Sequence, residues 1–358
     1  MTEITRRNFA LAGAAAAFAP QAQAKLAPLT PGIKISMQVD ESVTGEDLTW
    51  IKQMGVDYLN VQTGKGRGTL ANFLDIKKRV EAAGLKVWNI SNNDNRNIEE
   101  ITLNLPGRDA KIEWLKQYIR DTGKAGIGYI TYAHMANGIW SSPAEATRGG
   151  GTARAFKMET AVGSWNGKTY PNPLSHGRKY TKEELWDNYT YFIKQIAPVA
   201  EEANVRIGIH PDDPPVPELG GIPRHMFGTF DGYIRALQLA NSPNIGVCLC
   251  CGTWMEGGKS TGKDVFEAAK AFAKMGKLWK IHFRNVTAPI PYFVETYIDN
   301  GYTDMYKLMK TLVDADFRGN LIADHVPQMG TGRQAGWSYS MGYIRALHQA
   351  ALAEKKRG

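Results

Sequence analysis

Four residues whose side chains bind divalent cations stand at the ends of four successive β-rich segments of the chain. They are His210, Cys250, His282 and Asp324. Imidazole, thiolate and carboxylate groups together form a ligand set for a divalent metal. Each residue alone has a commoner structural explanation, because a buried Cys is usually an apolar filler and an Asp after a strand often caps a helix. Their recurrence at four strand ends favours a metal site.

The three cysteines of the chain, Cys248, Cys250 and Cys251, are too clustered to form a disulfide framework. Side chains alternate along a strand, so Cys248 and Cys250 point to the same side. Cys250 lies nearer the strand end, and we predict that it is the metal ligand. The alternative is a vicinal disulfide between Cys250 and Cys251, which a metal-bound thiolate would resist.

A repeating scaffold is needed to position these residues. From Gly32 onward, short β-rich runs alternate with stretches of helical period, which is typical of parallel βαβ units. Eight such units favour a (β/α)8 TIM barrel, an α/β fold whose active site lies at the C-terminal ends of the strands. A doubly wound sheet would usually have a glycine-rich phosphate-binding turn after a strand, and this sequence has none. The predicted strands cover residues 33–37, 58–62, 86–91, 129–132, 206–210, 245–250, 278–283 and 320–324.

Residues 133–179 interrupt this rhythm with glycines, Ser and Thr and with neither a helical nor a strand period. We interpret them as a long loop inserted after the fourth strand, and their aromatic residues favour an ordered lid or a subunit contact. A helix capped by Asp109 is predicted ahead of the fourth strand. The predicted helices cover residues 46–54, 70–83, 109–125, 183–203, 230–239, 265–275, 305–315 and about 340–354.

The first 24 residues have the pattern of an export leader. Arg6 and Arg7 precede an alanine-rich run that ends in Ala22-Gln23-Ala24. We expect a twin-arginine signal peptide cleaved after Ala24, with an ordinary Sec leader as the alternative. The apolar run is too short to span a bilayer, so no membrane span is expected after cleavage. The mature protein, residues 25–358, is then a single periplasmic catalytic domain.

Composition limits the classes of partner. The 358 residues are 43% hydrophobic, which is enough for a large core, and 43 basic against 35 acidic residues give a net charge of +8. Lys and Arg are scattered along the chain, so we expect no nucleic-acid partner. The positive balance suits a small anionic substrate, or serves only to keep the surface soluble.

The most distinctive segment is His210-Pro211-Asp212-Asp213-Pro214-Pro215, in which two carboxylates lie between prolines. With Gly221-Ile222-Pro223-Arg224, Gly252-Thr253 after Cys250, His282-Phe283-Arg284 and Asp324-His325, it makes the chain similar to the D-mannonate dehydratases. The resemblance extends over about residues 33–350. These enzymes are TIM barrels of the xylose isomerase-like type that use a divalent metal, usually manganese. The resemblance implies a hydro-lyase that converts D-mannonate, or a close relative, to 2-dehydro-3-deoxy-D-gluconate.

The resemblance also implies roles for individual residues. The metal ligands fall on the four residues found at the strand ends, with Mn²⁺ as the expected ion and Fe²⁺ or another divalent ion as the alternative. His325 corresponds to the acid/base histidine and Tyr339 to a catalytic tyrosine. Alternatively, His325 only orients Asp324, and Tyr339 is an aromatic residue of the core. A homo-oligomer is compatible with the resemblance.

The substrate-binding residues are expected near the distinctive segment. Arg284 and Arg224 are predicted to bind the substrate carboxylate, beside Asp212 and Asp213. The alternative for either arginine is to hold one of these two aspartates.

The chain departs from the family pattern beside the site. Ile322-Ala323-Asp324-His325-Val326 replaces the usual Arg-Pro-Asp-His-Gly, and Ala133 replaces an Asn. Residues 92–97, Asn-Asn-Asp-Asn-Arg-Asn, lack a family histidine. We therefore predict altered substrate contacts around a retained metal set. The alternative functions are a sugar isomerase, epimerase or keto-sugar lyase on the same barrel and, third, a periplasmic sugar-acid binding protein without catalysis.

Overall fold

A computed structural model describes residues 26–330 and 332–357 of the chain. Eight strands make one parallel sheet: β1 (Lys34–Asp40), β2 (Tyr58–Thr63), β3 (Lys86–Asn92), β4 (Tyr129–Tyr132), β9 (Arg206–Ile209), β12 (Ile245–Cys250), β13 (Leu278–Phe283) and β16 (Asn320–Ala323). Their order is β3-β2-β1-β16-β13-β12-β9-β4, and the two edge strands β3 and β4 contact each other. The eight predicted strands and the TIM barrel are therefore confirmed. The predicted leader, residues 1–24, lies outside the described residues.

Helices cover the outside of the barrel. Several begin with side-chain caps that satisfy free backbone N–H groups: Thr44 and Asp47 form one capping box, and Thr181 and Glu184 another. The helices are α1 (Gly45–Gln53), α2 (Leu70–Ala82), α3 (Glu99–Thr102), α4 (Arg108–Lys124), α5 (Lys182–Glu202), α6 (Phe230–Ala240), α7 (Cys251–Gly257), α8 (Val265–Lys274), α9 (Met305–Asp314) and α10 (Arg333–Lys355).

Two helix starts differ from the prediction. The N-cap of α4 is Gly107, whose φ of 92° is a left-handed conformation that glycine adopts without strain, and Asp109 lies in the first turn instead of capping it. Helix α10 begins at Arg333, well before the predicted residue 340. Among the described residues, no helix is long and apolar enough to cross a bilayer.

The core lies between the sheet and these helices. Every residue of β12 and of β13 is buried, as expected for parallel strands that are covered on both faces. These two strands pair in parallel, with a register shift between Val247 and Cys248 that leaves Cys250 opposite His282. The barrel therefore brings two of the predicted ligands side by side through its backbone ladder alone.

The segment inserted after β4 is a sheet, and the prediction of an irregular loop is wrong. It contains β5 (Ile139–Ala146), β6 (Thr152–Lys157), β7 (Val162–Trp165) and β8 (Lys168–Tyr170). These strands join β14 (Asn285–Val286) and β15 (Tyr292–Thr296) in the order β14-β15-β6-β5-β7-β8, and β15 pairs antiparallel with β6. A small hairpin, β10 (Glu218–Leu219) and β11 (Ile222–Pro223), follows β9. The inserted strands are short and partly paired with a distant segment, so they leave no local period.

Candidate active site

The four predicted metal ligands meet at the C-terminal ends of the strands. His210 follows β9, Cys250 ends β12 and His282 lies in β13; one ligand atom from each lies within 4.8 Å of the others. Asp324 follows β16, and its carboxylate is 3.6 Å from Cys250 Sγ and 3.6 Å from His282 Nδ1. Strand ends from four βα units therefore present two imidazoles, one thiol and one carboxylate to one point.

The hydrogen bonds of these side chains fit a metal ion. His210 Nδ1 is 2.7 Å from the Pro211 carbonyl, which can only accept, so this nitrogen carries the proton and Nε2 keeps its lone pair. His282 Nε2 lies 3.5 Å from Cys248 Sγ, while His282 Nδ1 is buried without a hydrogen-bond partner. A buried ring nitrogen without a partner is costly unless a ligand occupies it. The donor set therefore fits a divalent cation.

The cysteine assignment follows from the same contacts. Cys248 contacts His282, and the one polar contact of Cys251 Sγ within the described residues is to the Leu249 carbonyl, at 4.0 Å. All three thiols are free, so the alternative vicinal disulfide is not formed. Burial raises the pKa of Cys250, and the guanidinium of Arg284, whose Nη2 is 3.3 Å from Sγ, opposes that shift.

A buried charged cluster of five residues lies against the ligands: Arg154, Asp213, Glu256, Arg284 and Glu295. Arg284 is fully buried and pairs with Asp213 at 3.3 Å, with Glu256 at 3.0 Å and with Glu295. Arg154, from β6, pairs with Asp213 at 2.7 Å and with Glu295 at 2.9 Å. The inserted sheet supplies Arg154 and Glu295, so it builds part of the site.

The protonation of this charged cluster follows from its two cations and three acids. Burial raises the pKa of Glu256 to about 8, and its neighbour Asp213 adds to the shift. Burial also opposes ionisation of Asp213, but Arg154 and Arg284 outweigh it and hold the pKa of Asp213 below its usual range. The raised pKa favours the protonated form of Glu256, and in that form the two arginines face the two carboxylates of Asp213 and Glu295.

Gly252, in the first turn of α7, gives Arg284 its room. A Cβ at this position would lie 2.1 Å from Arg284 Nε. The Gly252-Thr253 pair noted in the sequence thus has a structural reason, because Thr253 Oγ1 also accepts a hydrogen bond from Arg284 Nη2 at 2.9 Å.

His325 lies in the loop after β16, where the backbone no longer follows the strand. Its φ is 48°, a left-handed conformation, and β16 ends two residues earlier. Its Nδ1 lies 2.8 Å from Glu295 Oε1, and 37% of the side chain is exposed. Desolvation lowers the pKa of His325, but Asp324 and Glu295 outweigh it and raise the pKa. The side chain lines the same cavity as His210 and His282.

The predicted substrate-binding arginines do not line this cavity. Arg284 is enclosed by the charged cluster, and Arg224 is buried and donates to the Asp213 carbonyl at 2.9 Å and to Asn137 Oδ1 at 2.8 Å. Asp212 accepts from the Phe227 N–H at 3.3 Å, and burial raises its pKa to about 6. In the structure both arginines hold the segment around Asp213, which is the alternative expected for them from the sequence, and a role in binding the substrate carboxylate stays a prediction.

Tyr339 lies on α10 and outside the residues that line the cavity. Its hydroxyl accepts a hydrogen bond from Arg148 Nη2 at 3.4 Å, and Arg148 pairs with Asp299 at 2.5 Å. The structure does not bring Tyr339 to the metal ligands, and its catalytic role stays a prediction.

The cavity has a volume of about 290 Å³ and a wall with two unlike halves. The charged half carries the ionisable residues at the ends of β9, β13 and β16: His210, Asp213, His282, Asp324 and His325. The amide half comes from the first three strands and the turn after β3: Gln38, Gln62, Asn93, Arg96 and Asn97. Ala133, Met135, Ile139 and Trp165 complete the lining.

Sequence reasoning missed Arg96, Arg154, Glu256 and Glu295. Arg96 lies in the segment after the third strand that departs from the family pattern, and its place at a strand end was the available signal. Nothing local marks Arg154 or Glu295, whose neighbourhood depends on the pairing of β6 with β15.

Comparison with known proteins decides the family. The model of the D-mannonate dehydratase (UxuA) family matches residues 47–355. The chain belongs to the D-mannonate dehydratase family. The mannonate dehydratase of Streptococcus suis (strain 05ZYH33) is 34% identical over 298 residues, which cover 78% of this chain and 79% of that protein.

Solved structures agree with this family and with the barrel type. The crystal structure of mannonate dehydratase from Streptococcus suis serotype 2 is similar with a TM-score of 0.79 and 30% identity, over 91% of this chain and 95% of that one. A xylose isomerase domain protein from Planctomyces limnophilus has a TM-score of 0.60 and 12% identity, over 90% and 99% of the two chains, and shows the fold alone. The predicted family and xylose isomerase-like TIM barrel are confirmed.

Proposed function

We propose that the protein is a metal-dependent hydro-lyase that removes water from D-mannonate, or from a close relative, to give 2-dehydro-3-deoxy-D-gluconate or its counterpart. Membership of the D-mannonate dehydratase family supports the reaction. The observation that carries the proposal is the meeting of His210, Cys250 and His282 within 4.8 Å in a cavity that His325 also lines.

His210, Cys250, His282 and Asp324 would hold the metal, which would act as a Lewis acid toward substrate oxygens. The family resemblance favours Mn²⁺. One thiolate and one carboxylate would balance the two positive charges of the ion, so the ligand set does not repel an anionic substrate.

Dehydration of an aldonate requires removal of the proton α to the carboxylate and departure of the β-hydroxyl group. A general base must therefore lie beside the substrate. His325 lines the cavity, and Glu295 contacts its Nδ1 at 2.8 Å, which orients the ring and leaves Nε2 for proton transfer. Glu295 is held in turn by Arg154 and Arg284. The charged cluster thus positions the base and does not itself take the proton.

The test is an assay of purified protein before and after removal and return of Mn²⁺. We expect formation of a keto acid from D-mannonate only with metal bound. An isomerase or epimerase would instead give a product of unchanged mass, which mass spectrometry separates from loss of water.

The neighbouring cysteines provide a matched pair of variants for this assay. Cys250→Ser should lose stoichiometric metal and activity, because its Sγ is one of three candidate ligand atoms that lie within 4.8 Å of one another. Cys251→Ser should keep both, because its Sγ approaches only a backbone carbonyl. Full metal content in the Cys250 variant would contradict the assigned site.

We also propose that the enzyme is exported by the twin-arginine route. Arg6-Arg7, the alanine-rich run and Ala22-Gln23-Ala24 support this. Replacing both arginines by lysine should retain the precursor in the cytoplasm, as followed by cell fractionation. Continued export of that variant would point to the Sec route.

A further inference from the structure

Arg96 differs from Arg154 and Arg284, the two arginines of the charged cluster. Arg154 and Arg284 each contact carboxylates. Arg96 Nη2 donates only to neutral amide oxygens, Gln62 Oε1 at 3.1 Å and Asn93 Oδ1 at 3.0 Å. No carboxylate of the described residues lies within 4.0 Å of its guanidinium. A partly buried cation without a counter-ion is costly, so an anion from outside the chain would stabilise this arrangement.

The Arg96 guanidinium is also held in place by its neighbours. Gln62 and Asn93 fix Nη2, and the guanidinium carbon lies 5.3 Å from the centre of the Trp165 ring. Trp165 is itself anchored by a hydrogen bond from its Nε1 to the Asn93 carbonyl at 3.2 Å. Arg96 Nε is buried without a hydrogen-bond partner. Nη1 makes no hydrogen bond to any described residue, so it is free to donate a charge-assisted hydrogen bond to an anionic oxygen of a ligand.

We propose that Arg96 binds the carboxylate of the sugar acid, from the amide half of the cavity, opposite the general base. Arg96 lines the cavity together with His210, His282 and His325, whereas Arg284 and Arg224 do not. This inference rests on the proposed function for the identity of the acid. It assigns the turn after β3 to substrate selection, in favour of acids over neutral sugars of the same shape.

The test uses two ligands that cannot lose water, the 3-deoxy analogue of D-mannonate and its neutral amide. Each is titrated by calorimetry into the Mn²⁺-loaded full chain and into Arg96→Gln. A charge-assisted hydrogen bond to a carboxylate predicts that Arg96→Gln binds the acid about 10- to 100-fold more weakly, with less than about a 3-fold change for the amide. The KM for D-mannonate should rise with the dissociation constant of the acid.

Two further variants control for charge and folding. Arg67→Gln removes the same charge from an exposed pair with Glu41 outside the cavity and should leave both affinities unchanged. Arg96→Lys keeps the charge without the planar donors and should bind the acid with intermediate affinity; it replaces Arg96→Gln if that variant does not fold. Thermal unfolding and metal content are measured for every variant.

The outcomes separate this inference from the proposed function. Equal weakening of acid and amide, unchanged affinity for the acid, or no binding of the acid to the wild type would each overturn the role of Arg96. An Arg96-dependent preference for the acid without dehydration of D-mannonate would sustain Arg96 and reject the proposed function. Dehydration of D-mannonate with an unchanged KM in Arg96→Gln would sustain the proposed function and reject the role of Arg96.

Discussion

The two halves of the cavity wall are built on different physical principles. In the charged half, His325 contacts Glu295, and Asp213 lies between Arg154 and Arg284. In the amide half, Gln62 and Asn93 bond to each other and to Arg96, and Gln38 and Asn97 add further neutral amides. The first half is a network of paired charges, and the second is a set of amides around one arginine that has no carboxylate partner among the described residues.

This difference indicates where sequence change is tolerated. Removing one member of a buried ion network leaves its partners charged and unpaired, which costs several kcal/mol. Removing one neutral amide from a cavity wall costs about 1 kcal/mol. We therefore expect the charged half to determine folding and catalysis, and the amide half to determine which sugar acid is preferred.

The largest expected effect is at Arg284. Arg284→Met should lower the free energy of unfolding by about 3 to 5 kcal/mol, because it leaves Asp213, Glu256 and Glu295 buried with one cation fewer. Urea denaturation measures the change. The matched control is Arg120→Met, which removes an exposed pair with Glu202 and should cost less than about 1 kcal/mol. Equal costs for the two variants would show that the charged cluster is no more strongly coupled than a surface ion pair.

The next largest effect is expected on kcat, at His325 in the charged half. His325→Asn should keep metal content and substrate affinity while kcat falls about 10²- to 10⁴-fold, as is typical for loss of a general acid or base. Metal analysis, calorimetry and product formation on this one variant decide the matter. Loss of metal together with activity would make His325 a support for Asp324, and undiminished turnover would remove it from the mechanism.

A smaller effect concerns a histidine that is buried behind the cavity wall, outside both halves. His134 follows the cavity residue Ala133, and burial lowers its pKa to about 3. Its unfolded pKa is about 6.5, so below that pH the unfolded chain gains a proton that the folded chain does not. His134 should therefore lower the free energy of unfolding by about 1.4 kcal/mol per pH unit as pH falls from about 6 toward 4.

Denaturation of the wild type and of His134→Gln over this pH range isolates that contribution. The variant should have the shallower pH dependence, by about one proton. The same slope in both proteins would show that His134 is protonated in the folded state.

The smallest effect is expected at Gln38, which lines the cavity and makes no side-chain hydrogen bond to another described residue. Gln38→Leu should change KM for the preferred sugar acid by about 2- to 10-fold, with metal content and unfolding free energy unchanged. Kinetics across a panel of aldonates provides the measurement. A kcat decrease as large as that of His325→Asn would place catalysis in the amide half.

The sequence predicted the barrel and the grouping of the candidate metal ligands because both depend on local pattern. Strand ends are visible as the last residues of apolar runs, and the barrel brings them to one face, so His210, Cys250 and His282 could be grouped without coordinates. Arg154 and Glu295 could not be found, because β6 and β15 are more than 130 residues apart and pair only in three dimensions. The sequence left the role of Arg284 open for a related reason: Arg284 follows a strand, but its acidic partners come from three other segments.

The inserted sheet has a consequence for protein engineering. Its β6 pairs with β15 from the segment after β13, and Thr152 forms a β-bridge with Gln328 from the segment after β16. Three connections that are distant in sequence thus share backbone hydrogen bonds. A chimera that receives residues 139–170 alone would carry an unpaired strand edge and would lack the partners of Arg154. The three connections should be transplanted together, as a single structural module.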